Sequence, residues 1–295
     1  MSQHSISWQA WYVLLRIPTL SAAVVPVFVG TAYAAGRHPL QWTPFVLALG
    51  ASLLIQTGTN FVNDLADFTK GADTGERLGP VRGLQTGEVT IRQLAWATYG
   101  VFGVALLIGL YLVLTHGWPI LAIGVAAILS GIAYTAGPLP LAYVGLGDVF
   151  VFIFFGVLGV MGSAYLQMGS FSWGTFAASV PVGLLATAII VVNNLRDIET
   201  DRRARKYTLA VLLGKQGVRM EFLLCLGVSY LTPWLLHQMR IITSPLWVLP
   251  WLTLPLTVPL VRRVLFVEGP ALNRALKEMG RLHLLFGLLL AGSLL

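Results

Sequence analysis

Nine long apolar runs divide this chain, and they restrict its fold more than any other feature. They cover residues 11–35, 45–62, 94–115, 120–136, 149–168, 175–192, 222–236, 246–261 and 282–295. Most approach the ~20 helical residues that cross the hydrocarbon core of a bilayer. Closed barrels also satisfy the backbone in lipid, but their strands alternate apolar and polar residues. These runs do not alternate. The expectation is therefore an all-α polytopic membrane protein of about nine transmembrane helices. Composition agrees: 56% of residues are hydrophobic and 11% charged, against ~25% charged in soluble domains. No low-complexity stretch or soluble appendage interrupts the pattern. The first run reads as a retained span, because it lacks the basic n-region of a signal peptide and is too long for one.

Charge is placed unevenly. Sixteen of the 19 basic residues follow the second, sixth and eighth runs, while Arg37 and Arg240 alone follow the odd-numbered ones. Under the positive-inside rule this puts the N-terminus and the even-numbered loops in the cytoplasm. The net charge of +7 is explained by basic loops facing anionic lipid heads, without nucleic acid as a partner. Cys225 is the single cysteine, so neither an intramolecular disulfide nor a multi-thiolate metal site forms. The five histidines are scattered.

Acidic residues number only twelve, yet three fall within "NFVNDLADFTKGAD" (60–73). Asn60, Asp64 and Asp67 stand at helical spacing and share one helix face. Asn193, Asp197 and Asp201, in "NNLRDIETD", do the same. Each stripe begins at the same, cytoplasmic, end of an apolar run. The echo hints at two pseudo-repeated halves, roughly 1–140 and 141–295, with Pro138 and Pro140 breaking the chain between them. Packed together, the halves would bring both stripes to one central cavity opening to the cytoplasm. Carboxylates and amide oxygens are hard ligands that suit Mg²⁺, which keeps several waters and shares coordination with substrate phosphates. Two divalent cations and a polyanionic ligand would balance four aspartates. Lys70, Arg77 and Arg82 after the first stripe, and Arg202, Arg203, Arg205 and Lys206 after the second, fit phosphate oxygens. Glu76, Glu88, Glu199, Arg92 and Lys215 read as ordinary solvated charges. A transporter is the alternative class, but its site would sit near mid-membrane rather than at one face. The apolar runs exclude a soluble isoprenyl diphosphate synthase.

The two stripes resemble the paired aspartate-rich motifs of the UbiA superfamily of intramembrane prenyltransferases. "RIPTL" at 16–20 extends the resemblance into the first run. The stretches "NFVNDLADFTKGADTGERLGPVRGLQTGEVT", "YTAGPLPLAYVGLGDVFVFIFFG" and "NNLRDIETDRRARKYTLAVLLG" are most similar to the menaquinone-pathway branch, the 1,4-dihydroxy-2-naphthoate polyprenyltransferases. In 4-hydroxybenzoate relatives a tyrosine is followed four residues later by lysine; here Tyr134 is followed by Pro138.

The resemblance implies a magnesium-dependent transfer from an allylic polyprenyl diphosphate to an aromatic acceptor in the cell inner membrane, with the lipid bilayer as surroundings. Asp64 and Asp67 would hold one cation, Asp197 and Asp201 the other, with Asn60 and Asn193 assisting. Lys70, Asp73, Arg77, Arg82 and Lys206 would meet the diphosphate. Tyr134, then Tyr143, Phe152 and Phe154, are the aromatic faces available to an allylic cation. Arg16 would meet the acceptor carboxylate. Asp148 reads as an exposed acid at a helix start, with a base near the acceptor hydroxyl as its alternative. The other acceptor classes open to the superfamily are homogentisate, chlorophyll precursors and 4-hydroxybenzoate, with a phytyl donor as a further variant.

Overall fold

The computed structural model describes residues 8–69, 78, 83–136 and 140–295, and among these there is no β-strand. Helices α1 (Trp8–Leu15), α2 (Ile17–Ala35), α3 (Trp42–Thr69), α4 (Gly83–Thr86), α5 (Ile91–His116) and α6 (Trp118–Ala133) form the first half. A 3₁₀ turn at Leu141–Tyr143 leads to α7 (Gly147–Val151). That helix runs through a π-helical segment, Phe152–Leu158, into α8 (Gly159–Met168). Then follow α9 (Trp173–Arg203), α10 (Leu209–Gln238), a 3₁₀ segment Pro245–Thr253 continuous with α11 (Leu254–Phe266), and α12 (Leu272–Leu294).

Six helices among the described residues are long and apolar enough to cross a membrane: α2, α3, α5, the Gly147–Met168 rod, α9 and the Pro245–Phe266 rod. The remaining three apolar runs fall in α6, α10 and α12. Of these, α6 has only 16 residues, while α10 and α12 carry several charged residues in their N-terminal halves. The first run is not one helix either. It breaks at Arg16, whose backbone is left-handed at φ 50° and ψ 55°. Pro18 explains the break: its ring nitrogen has no hydrogen to offer the preceding turn, so one helix ends and the next begins with proline in its first turn. A second break lies at Gly214 in α10, at φ 70° and ψ 173°.

At the centre stands α9, surrounded by α2, the α7–α8 rod, α10 and α12. Its inner residues Val182, Leu185, Ala188 and Val192 are fully buried. Helices in lipid gain little from apolar contact as such, so close approach through small residues does the packing. Gly156 in the π segment crosses α9 at Gly183, where an added Cβ would lie 2.5 Å from the Gly183 Cα. Gly30 of α2 crosses α8 in the same way, with an added Cβ 2.2 Å from the Val160 carbonyl. By contrast α5 is mostly exposed, presenting Leu106, Leu107, Leu110 and Leu114 outward.

The two ends of the bundle differ. At one end Gln167 donates to the Gln41 carbonyl (2.9 Å) and accepts from its N–H (2.9 Å). There Arg37 lies 3.8 Å over the Tyr33 ring and donates to the Ile241 carbonyl (2.7 Å), tying the halves together. The opposite end carries most of the charge and the two Asn–Asp stripes.

Candidate functional site

Both stripes are helical, as their spacing requires, and both occupy the last turns of their helices, α3 and α9. They meet at one cavity of about 470 Å³, to which Asn60, Asp67, Asn193, Asp197 and Asp201 contribute. Arg16, Tyr134 and Lys206 line it as well. Lys70, Asp73, Arg77 and Arg82, and Glu76 with them, lie outside the described residues.

The carboxylates are not equivalent. Asp64 is buried at 1% exposure and is ion-paired with Arg16; it does not line the cavity. Asp197 faces the Arg196 guanidinium, which donates from Nε to Oδ1 (2.8 Å) and from Nη2 to Oδ2 (2.5 Å). The first aspartate of each stripe thus already has an arginine as counter-ion. Asp201 pairs more loosely with Lys206, whose Nζ is 3.5 Å from Oδ1. Its other oxygen is buried and has no hydrogen-bond partner among the described residues. Lys206 also stands 5.6 Å from the Tyr143 ring centroid.

The amides anchor the stripes. Asn60 donates from Nδ2 to the Leu15 carbonyl (3.1 Å), holding α3 to the end of α1, and accepts from Gln56 (3.3 Å). Asn193 accepts from Arg196 Nη2 at 2.9 Å. Arg196 is itself buried, and its Nη1 donates to Asn273 of α12 (2.8 Å), whose amide reaches the Leu78 carbonyl (2.9 Å). This arginine was counted in the sequence only as a loop cation, and Asn273 carried no signal at all. Arg196 sits within the second stripe and Asn273 lies 77 residues further along the chain, and only the packing of α12 on α9 brings them together. Asn63, bonded by Thr135 at 2.5 Å, is another polar lining residue the motif spacing did not pick out.

Several expectations change. Arg202, Arg203 and Arg205 do not line the cavity; of the basic residues after the second stripe, only Lys206 does. Asp148 is not an exposed acid. It is 4% exposed because the first turn of α7 packs on α9, and one carboxylate oxygen has no hydrogen-bond partner among the described residues. Phe152 packs on Gly183, whereas Phe150 and Phe154, stacked with centroids 5.9 Å apart, face the cavity. The π turn widens the helix there and re-aims its side chains, a device common at functional sites. Glu199 is a solvated charge as expected, half exposed and paired with Arg202 and Lys215.

Away from the stripes the cavity turns apolar. Ile55, Leu112, Val113, Ile120 and Leu166 line this deeper part between α3, α5, α6 and α8. Leu106, Leu110, Leu121 and Val125 line it too, and these side chains are also exposed on the outer surface. The site therefore joins a charged, amide-rich head to an apolar channel that reaches the lipid-facing side.

Among the described residues no three Asp, Glu, His or Cys side chains gather closely enough to hold a cation unaided. The available donors are hard oxygens in ones and twos: Asp67, Asp197, the open oxygen of Asp201 and the neighbouring amides. That set fits a magnesium ion, which completes its shell with water and substrate phosphate.

The fold and this cavity define an integral membrane protein, helical throughout its described residues, with a charged, amide-rich pocket that opens into an apolar channel. Comparison with known proteins gives the family. Residues 23–286 match the UbiA prenyltransferase family. The 1,4-dihydroxy-2-naphthoate octaprenyltransferase of Haemophilus influenzae is 38% identical over 75% of this chain and 74% of its own length. Its namesake in Escherichia coli is 37% identical over 94% and 92% of the two chains. The structure of a UbiA homolog from Archaeoglobus fulgidus bound to GPP and Mg²⁺ superposes with a TM-score of 0.68 at 18% identity, covering 96% of this chain and 99% of that one. This chain belongs to the UbiA prenyltransferase family.

Proposed function

We propose that the chain transfers a polyprenyl group from an allylic polyprenyl diphosphate to 1,4-dihydroxy-2-naphthoate, releasing diphosphate and CO₂ and yielding demethylmenaquinol. The observation that carries the reading is the single cavity that joins both Asn–Asp stripes to an apolar channel. The activity named for the relatives from Haemophilus influenzae and Escherichia coli supports the choice of acceptor.

In this reading Asp67, Asp197 and Asp201, with Asn60 and Asn193, would hold divalent cations together with the diphosphate oxygens, and Asp64, ion-paired with Arg16 outside the cavity lining, would join them once that arginine engages substrate. Magnesium bound there would neutralise the diphosphate and make it a better leaving group. Lys206 and Arg16 supply positive charge to the same head, Lys70, Arg77 and Arg82 of the segment after α3 add to it, and Asp73 of that segment would meet the diphosphate through a bound cation. Arg16, which lines the cavity, would also meet the acceptor carboxylate. Tyr134, Phe150 and Phe154 present ring faces to the allylic carbon and exclude water. The allylic carbon–oxygen bond breaks, the naphthoate ring supplies the electron pair for the new carbon–carbon bond, and the carboxylate departs as CO₂. The prenyl tail lies in the apolar channel and leaves sideways between α5 and α6.

The same reading places nine crossings in the inner membrane: the six long apolar helices plus α6, α10 and α12, in two pseudo-repeated halves. The charged end, with the N-terminus, faces the cytoplasm, because the basic residues collect there.

Purified protein given a polyprenyl diphosphate, the naphthoate and Mg²⁺ is expected to form the prenylated, decarboxylated product by mass spectrometry. EDTA abolishes it and excess Mg²⁺ restores it. Product from a different acceptor only, or none from any of a panel of acceptors, overturns the assignment.

Gly124 of α6 lines the channel, and an added Cβ there meets nothing within 4 Å. Gly124→Phe should therefore fold normally and fill the channel. Turnover with a long-chain donor is expected to fall at least about tenfold, as one misfitted apolar group can achieve, while geranyl diphosphate is still used. A parallel series of donor lengths measures this.

A further inference from the structure

We infer that the outer face of α11 and α12 is a binding site for an anionic phospholipid, separate from the substrate cavity. The exposed positions of α12 form one stripe: Arg274, Lys277 and Arg281, then Leu285 and Leu288. Its neighbour α11 runs the other way, with Val258 exposed in the apolar part and Arg262 and Phe266 exposed at its end. The two helices are clamped at that level by Glu278, which pairs with Arg263 of α11 and, at 3.1 Å, with Arg274. That leaves three exposed cations, since the side chains of Arg262, Lys277 and Arg281 make no hydrogen bond or ion pair among the described residues. None of the three lines the substrate cavity.

The arrangement matches a phospholipid in two respects. Unpaired cations stand where both helices pass from apolar to charged residues, the level of lipid phosphates, and exposed aliphatic side chains continue below them, where acyl chains run. Basic clusters at this boundary attract anionic headgroups, and zwitterionic lipids lack the net charge to compete. The site takes a phosphodiester lipid with net negative charge, such as phosphatidylglycerol.

The test uses the full chain in neutral detergent. Phosphatidylglycerol titrated into it is expected to raise the thermal midpoint by several degrees, and phosphatidylcholine much less. In the triple variant Arg262→Gln, Lys277→Gln, Arg281→Gln, the midpoint without lipid stays as in the parent and the response to phosphatidylglycerol falls to that of phosphatidylcholine. Single variants shift half-saturation about fivefold each, the worth of one basic residue at a charged surface. An Arg202→Gln, Arg205→Gln control keeps the full response. The inference fails if the triple variant responds like the parent, or if the control loses the response equally. It fails too if the parent does not distinguish the two lipids, or if inorganic phosphate alone reproduces the shift.

Discussion

Asparagine in place of Asp67 or Asp201 is expected to lower kcat/KM for prenyl transfer by about a thousandfold or more, while folded protein remains in the membrane. Both side chains line the cavity. Asparagine keeps their shape but removes the charge that a divalent cation needs, and metal stabilisation of a leaving group is worth several kcal/mol. A loss of ~4 kcal/mol is a thousandfold in rate. Folding should survive because asparagine keeps the size and shape of the side chain, Asp67 is only half-buried, and Asp201 meets Lys206 only at 3.5 Å. The measurement pairs turnover with a magnesium titration of the thermal midpoint. A variant with near-parental turnover would remove that carboxylate from the cation site. Unchanged magnesium response with lost turnover would give it another role.

Leucine at Gly156 is expected to leave little extractable, monodisperse protein. The first side-chain carbon would already lie 2.5 Å from the Gly183 Cα and 2.9 Å from its nitrogen. Those are backbone atoms of the central helix and cannot rotate away. Overpacking typically costs 1–3 kcal/mol, and a backbone clash between two helices should reach or exceed the top of that range, ~3 kcal/mol. Displacing α9 here also shifts Asn193, Asp197 and Asp201 further along it. Gel filtration after detergent extraction, with Gly156→Ala as a milder step, reads the effect. Parental yield for the leucine variant would mean the two helices do not touch at this point.

Much of this protein is visible along one dimension. The apolar runs predict where the long helices lie, because a segment in lipid must satisfy its own backbone hydrogen bonds, but they miss the polar helix ends: α9 runs on to Arg203, and α10 and α12 begin at Leu209 and Leu272. The stripes of Asn60, Asp64 and Asp67 and of Asn193, Asp197 and Asp201 predict shared faces for the same local reason, the helical repeat. Where local sequence held a proline, as at Pro18, the break at Arg16 was open to view but was hidden by the strength of the surrounding hydropathy. Asp148 was misread because its burial comes from α9, forty residues away, and nothing near it in the chain announces that.

The amino-acid sequence alone determined the class of fold, the membrane setting and the identity of the acidic stripes, since each depends on hydropathy and helical spacing within a single segment. Tertiary structure alone decided that Asp64 and Asp197 are countered by Arg16 and Arg196, that Asn273 ties α12 to the second stripe, and that Phe150 rather than Phe152 faces the cavity. Those facts depend on which helices pack together and at what rotation. That choice is set by close contacts such as Gly156 on Gly183, between residues far apart in the chain.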